Sequence, residues 1–113
     1  MNNSDVYKVP GVKTIDDCIA EAFGISVGDL QIRTRKRAIV DARKFAMWWQ
    51  RKEYGSKKSF AEIGAMYAGR DHATAFKAFR TDHDELMQGD AEYRTKAERA
   101  LKLIATIKTV KHG

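Results

Sequence analysis

The apolar positions recur with the spacing of α-helices along most of the chain. After Thr14, a residue that can cap a helix, apolar residues follow at i, i+3, i+4, i+7 and i+8 as far as Phe23, and Gly24 ends this pattern. A short helical turn capped by Ser26 follows. A longer pattern begins near Arg37 and runs to about residue 54. No segment shows the alternation of apolar and polar residues that is typical of a β-strand, so we predict an all-α fold.

The second half of the chain predicts two short helices joined by a tight turn. Ser59 to Glu62 forms a capping box, which starts a helix that ends near Tyr67. The next helix starts near Asp71, after a three-residue turn that contains a glycine, and such a pair is typical of a helix-turn-helix. A last helix follows Asp90, which gives a compact bundle of about six helices. Positions predicted to face the core include Val27, Ala75, Phe76, Phe79 and Leu101.

The domain boundaries follow from composition. Residues 1–12 are polar, lack periodicity and contain Pro10-Gly11, so we predict a flexible N-terminal tail, and Met1 before it is typical of a natural start. Residues 13–113 then form one domain, because a chain of 113 residues with 43% apolar content supports a single core. No apolar run reaches membrane-spanning length, and the N-terminus has no apolar core of the signal-peptide type. The lone Cys18 indicates a reducing compartment. We expect a cytoplasmic, nucleoid-associated protein with no membrane partner.

The positive charge is concentrated in one part of the chain. The formal net charge is +6, but residues 31–58 carry ten basic and two acidic residues, so the rest of the chain is slightly acidic. A local excess of this kind is expected of a nucleic-acid footprint. Anionic membranes and acidic proteins would attract the same patch. The densest part is a loop, residues 31–37, in which Arg33, Arg35 and Arg37 alternate. An arginine on such a loop can enter a narrow A·T-rich minor groove, whereas the alternative is a merely solvated loop.

The start of the second short helix carries the other candidate chemistry. Arg70, Asp71, His72 and Thr74 place a cation, a carboxylate, an imidazole and a hydroxyl where a recognition helix meets base edges in the major groove. Asp71 can accept from a cytosine amino group or simply cap the helix. Lys77 and Arg80 suit the flanking phosphates.

Enzymatic chemistry has little support in the sequence. There is no Gly-x-x-x-x-Gly-Lys-Ser/Thr phosphate loop and no His-Glu-x-x-His pair. His72 and His83 are eleven positions apart, with no cysteine or carboxylate at ligand spacing. We therefore expect no catalysis, no metal, no cofactor and no small-molecule substrate. Asp82, Asp84 and Glu85 are interpreted as a solvated acidic turn.

The stretch Glu62-Ile63-Gly64 followed by Gly69-Arg70-Asp71-His72-Ala73-Thr74 resembles the C-terminal DNA-binding domain of the bacterial replication initiator DnaA. The usual form in this family is Gly-Gly-Arg-Asp-His-Thr/Ser-Thr-Val, and the resemblance covers residues 14–107. It implies a Trp-repressor-like helical bundle with a helix-turn-helix behind a basic loop. In this chain Ala68 replaces the first glycine, and Ala73 replaces a threonine or serine that touches a base.

The resemblance also implies roles for single residues. Arg35 would enter the minor groove of a short, asymmetric DnaA box, and Ala73 could meet a thymine methyl group but could not donate a hydrogen bond. The predicted DNA-binding residues are Arg33, Arg35, Arg37, Arg43, Lys44, Arg70, Asp71, His72, Ala73, Thr74 and Lys77. Of these, Arg37, Arg43 and Lys44 are expected near phosphates.

Full initiators of this family also carry an ATPase domain and a partner-binding domain, which this sequence does not contain. The hypothesis is a binder of double-stranded DNA at A·T-rich, DnaA-box-like sites that regulates replication initiation or transcription without ATPase activity, encoded by a chromosome or a phage. The alternatives are a protein-interaction module that retains the fold and a non-specific nucleoid or RNA-binding protein.

Overall fold

The computed structural model describes the backbone of residues 13–112 and the side chains of residues 13–107, so the predicted flexible tail lies outside the described residues. Within this range the chain forms six α-helical segments and no strand, which confirms the predicted all-α class. The helices are α1 (Ile15–Phe23), α2 (Arg37–Tyr54), α3 (Phe60–Met66), α4 (His72–Lys77), α5 (His83–Gly89) and α6 (Ala91–His112). Two 3₁₀ turns, Val27–Gln31 and Gly55–Lys57, flank α2, and a π-helical segment, Ala78–Asp82, joins α4 to α5.

The helix ends lie where the local sequence places them. Thr14 accepts a hydrogen bond from the Asp17 amide at 3.1 Å, and the Asp17 carboxylate accepts one in return from the Thr14 amide at 2.9 Å. Ser59 and Glu62 form the same reciprocal pair at the start of α3. Gly24 has a left-handed backbone, φ 72°, and closes α1. The caps predicted at Thr14, Ser59 and Gly24 are confirmed, whereas the Ser26 side chain makes no capping hydrogen bond.

The long helix α2 lies at the centre of the core. Phe45 in α2 is fully buried and packs against Phe23 of α1, with ring centroids 5.8 Å apart. Phe23 in turn packs against Tyr93 of α6, also at 5.8 Å. The cluster is completed by Ile63 and Tyr67 from the helix-turn-helix. The free Cys18 is buried in it, as its helical spacing predicts.

Three predicted core positions are wrong. Phe76 is 47% exposed because Ala75 and Ala78 form the buried face of this helix, and Phe76 lies about 100° around the axis from Ala75. Val27 is 46% exposed, since Leu30 fills the core position of its 3₁₀ turn. Leu101 is 36% exposed because Ala97, Ala100 and Ile104 complete the inner stripe of α6.

The predicted solvated acidic turn is wrong for Asp82, whereas Asp84 and Glu85 are exposed as predicted but lie in a helix rather than a turn. Asp82 is buried, at 8% exposure, inside the continuous helical rod from α4 to α5. Its carboxylate accepts from Lys77 Nζ at 2.8 Å and lies 3.7 Å from Lys44 Nζ. The two lysines compensate the buried charge, so the chain need not turn outward to solvate it.

No helix within residues 13–112 is long and apolar enough to cross a membrane. Among the described side chains, residues 13–107, no group of three or more histidine, cysteine, aspartate or glutamate residues is placed to hold a metal ion.

Candidate nucleic-acid interface

The basic loop predicted over residues 31–37 is non-helical only at residues 32–36, and it lies against the turn of the helix-turn-helix. Gln31, the last residue of the preceding 3₁₀ turn, donates from Nε2 to the Met66 carbonyl at 2.6 Å. Its Oε1 accepts from the Ala68 amide at 3.1 Å. Arg33 Nη2 donates to the Gly69 carbonyl at 2.9 Å. These three bonds, which we call the loop–turn clamp, join segments about 36 positions apart in the chain.

Arg43 holds the loop from the opposite side. Its side chain is buried, at 5% exposure, and its guanidinium donates to the carbonyls of Ile32 and Thr34. Burial lowers the pKa of Arg43, and the positive charges of Arg70 and Arg33 lower it further. The expected contact of Arg43 with phosphate stays a prediction. The structure shows that its hydrogen-bonding capacity is directed at the loop backbone.

We expect Arg43→Lys to lower the free energy of unfolding by about 1–3 kcal/mol, because an ammonium cannot bond two carbonyls in the planar fork of a guanidinium. Urea unfolding followed by circular dichroism measures this change. The matched control is Arg35→Lys, an exposed change in the same loop that should stay within about 0.5 kcal/mol of wild type. Equal stability of Arg43→Lys and wild type would show that the two loop bonds contribute nothing.

The alternating arginines do not share one orientation. Arg33 is bonded to Gly69, as described above, and Arg37 forms ion pairs with Asp90 and, at 3.4 Å, with Asp41. Arg35 is exposed, and among the described residues it forms no hydrogen bond or ion pair. Arg35 is therefore the loop arginine that remains available to a ligand.

The turn before α4 has an unusual backbone. Ala68 and Gly69 are both left-handed, with φ values of 59° and 60°. This conformation costs a residue with a Cβ about 1–2 kcal/mol. The Arg70 amide then donates to the Gly64 carbonyl of α3 at 2.9 Å, which closes the turn. The hydrogen bond from the Ala68 amide to Gln31 Oε1 stabilises this strained backbone conformation, so the loop–turn clamp also supports the turn.

The N-terminus of α4 presents the predicted recognition residues. Asp71 is the N-cap, and its Oδ1 accepts from the Thr74 amide at 2.9 Å, which lowers the pKa of the carboxyl group. The capping role is confirmed, while the base contact stays a prediction. His72 and Ala73 are exposed, and Thr74 is half-buried. One surface cleft is lined by Arg33, Gly69, Arg70, Asp71 and Thr74.

The two lysines among the predicted DNA-binding residues share one acidic partner. Lys44 and Lys77 both approach Asp82, although the Lys77 side chain remains 70% exposed. Their net contribution to the surface potential is therefore lower than the sequence suggests.

Gln31 was not among the residues predicted for the interface, because nothing in its sequence neighbours distinguishes it from a solvated loop residue.

A family model described as "Bacterial dnaA protein helix-turn-helix" matches residues 12–81, more than half of the chain. The chain belongs to this family. Proteins named "Chromosomal replication initiator protein DnaA" are similar to it. The one from Porphyromonas gingivalis is 31% identical over 94 residues, covering 83% of this chain and 19% of that protein. The one from Flavobacterium psychrophilum is 34% identical over 90 residues, covering 80% and 18%.

The protein from Wolbachia pipientis wMel is 30% identical over 92 residues, which cover 81% of this chain and 19% of that protein. The chain thus spans about a fifth of the length of the curated relatives that it matches. Membership in the DnaA helix-turn-helix family confirms the predicted resemblance and fold. Since a helix-turn-helix is an element that binds double-stranded DNA, the family assigns the chain a DNA-binding rather than a catalytic element.

Proposed function

We propose that this chain binds double-stranded DNA sequence-specifically at A·T-rich sites of the DnaA-box type and thereby regulates replication initiation or transcription, with no ATP hydrolysis of its own. The loop–turn clamp is the observation that carries the proposal. It holds a cationic loop directly beside the tip of a recognition helix, so one duplex can meet both. A protein with this activity acts in the cytoplasm at the nucleoid.

The basic loop is suited to the minor groove. Arg35 is exposed and unpaired within the described residues, whereas its neighbours Arg33 and Arg37 are bonded to the protein. A narrow A·T-rich minor groove has an enhanced negative potential that attracts such an arginine. Arg43 fixes the loop backbone, which reduces the entropy lost when the arginine is inserted.

The tip of α4 is suited to the major groove. His72 and Ala73 are exposed there, and the guanidinium of Arg70 can bond guanine or a phosphate. Asp71 caps the helix through Oδ1, and a carboxylate has lone pairs beyond the one used in the cap. The Asp71 carboxylate can therefore also accept from a cytosine amino group. Thr74 has a hydroxyl that can bond either base or backbone. Arg37 and Lys44 on α2, and Lys77 at the end of α4, are placed to suit phosphates beside the grooves.

The decisive experiment compares an A·T-rich DnaA-box duplex with a scrambled duplex of equal length and composition, using fluorescence anisotropy. We expect at least about ten-fold tighter binding to the box. With six or so phosphate contacts, the affinity should fall with salt at a log–log slope of about −5. Equal, salt-sensitive affinity for both duplexes would indicate a non-specific binder. Binding to neither would favour a protein-interaction module.

Arg35→Ala should weaken binding to the box by about ten-fold or more, because it removes the arginine offered to the minor groove. Replacing the A·T pairs of the minor-groove tract by G·C should affect wild type but not the variant. Lys102→Ala is the control, since it removes one positive charge from the exposed surface of α6. If Arg35→Ala and Lys102→Ala bind alike, the minor-groove assignment fails.

A further inference from the structure

Phe76 lies on the outer surface of the recognition helix rather than in the core. Its side chain is 47% exposed, whereas the other four phenylalanines are buried or half-buried. It follows Ala73 by three positions and His72 by four, so the three side chains share one face of α4. All three are exposed. An apolar ring therefore continues the face that carries the proposed base contacts.

The ring is held firmly on one side. Phe60 of α3 meets it edge to face, with centroids 5.2 Å apart and an interplanar angle of 85°. Phe60 is itself covered by the Arg51 guanidinium, which lies 4.0 Å above its ring, and by Phe79 at 5.9 Å. Phe76 is thus presented in a fixed orientation, with its other side open to solvent. A rigid apolar side chain of this kind loses little conformational entropy when a ligand covers it.

The major groove offers this ring one matching group. Base edges there carry hydrogen-bond donors and acceptors, which a phenyl ring cannot satisfy, and the C5-methyl group of thymine, which it can contact. We propose that Phe76, together with Ala73, contacts thymine methyl groups in the major groove and is a specificity-determining residue. The inference rests on the proposed function and adds a residue and a chemical group to it.

Uracil substitution tests this contact, because uracil keeps every hydrogen-bonding group of thymine and lacks only the methyl. Each thymine of the box is replaced in turn, and binding is measured by fluorescence anisotropy. Wild type should lose about four-fold in affinity at one or two positions, the effect of burying one methyl group. Phe76→Ala should bind the thymine and uracil duplexes equally at the position assigned to Phe76. Phe76→Leu, which keeps an apolar side chain, should retain part of the difference.

Leu101→Ala serves as the control, since it truncates an exposed apolar side chain on α6 and should preserve the full thymine–uracil difference. Uracil substitutions without effect in wild type would overturn the inference, as would a thymine–uracil difference that persists in Phe76→Ala. In either case wild type could still prefer the box over the scrambled duplex, so the proposed function would stand. Loss of that preference in wild type would instead contradict the proposed function.

Discussion

Gly64→Ala is expected to destabilise the domain by about 3 kcal/mol and to weaken DNA binding by at least about ten-fold. The reason is the close approach of α3 to the turn before α4. A Cβ at position 64 would lie 2.5 Å from the Asp71 carbonyl oxygen and 2.6 Å from that of Arg70. Both atoms belong to the backbone, so no side-chain rotation can relieve the overlap.

The displacement would reach the proposed interface directly. The Arg70 amide is bonded to the Gly64 carbonyl, and Asp71 caps the helix that carries His72. Moving α3 and the turn apart would therefore shift the recognition residues relative to the basic loop. Alanine raises helix propensity by about 1 kcal/mol over glycine, which offsets only part of the steric cost.

Urea unfolding measures the stability change, and anisotropy at a temperature where the variant remains folded measures binding. Gly89→Ala is the matched control, because a Cβ at that position meets no atom within 4 Å. It should be neutral or slightly stabilising. If Gly64→Ala were as stable as Gly89→Ala, the close packing of α3 on the turn would be disproved.

The parts of the structure that were predictable from the sequence rest on local contacts. The pairs Thr14–Asp17 and Ser59–Glu62 each lie three residues apart, so a short sequence window contains both partners. The limits of α2 agree with the prediction for the same reason, since its apolar pattern starts and stops near Arg37 and Tyr54.

The contacts that build the interface could not be predicted in this way. Gln31 reaches the turn across 35 and 37 positions, and periodicity tells which face of a helix is buried but not which faces meet. A second long-range example is Tyr67, whose hydroxyl donates to Asp16 at 2.9 Å and accepts from Gln50 at 3.2 Å. Both cases depend on how α1, α2 and the helix-turn-helix dock.

Phe76 shows the limit of hydrophobicity as a guide. Its apolar side chain favours the core, yet small alanines at 75 and 78 bring α4 close enough to the core to leave Phe76 at the flank. The family signature suggested which residues to propose for DNA binding, whereas the placement of the loop against the turn depends on Arg33, Arg43 and Gln31.

A second large effect is expected from pH, through the buried histidine of α5. His83 is only 4% exposed, and its ring stacks on Trp48 with centroids 3.8 Å apart. Its Nδ1 lies 2.8 Å from the Tyr93 hydroxyl. Burial lowers the pKa of His83 to about 4, with the nearby Lys52 adding to the decrease and Asp84 opposing it. The unfolded chain has the ordinary value of about 6.5.

The sign follows from which state binds the proton first. At pH 7 the imidazole is mostly neutral in both states. Between pH 6.5 and about 4 the unfolded state takes up the proton while the folded state does not. The free energy of unfolding should therefore decrease as the pH is lowered across this window, by up to about 3 kcal/mol from this one group. The loss levels off below the folded-state pKa, where both states are protonated.

Comparison with His83→Gln isolates this effect, because the carboxylates that also titrate in acid are common to both proteins. Glutamine can still bond the Tyr93 hydroxyl but does not titrate, so its stability should depend less steeply on pH than that of wild type between pH 6.5 and 4. Gly89→Ala, which leaves every ionisable side chain in place and adds a Cβ that meets no atom within 4 Å, should run parallel to the wild-type curve. Urea unfolding at half-unit pH steps gives all three curves. Parallel curves for wild type and His83→Gln would mean that His83 is protonated equally in the folded and unfolded states, and that its stacking on Trp48 does not exclude the charged ring.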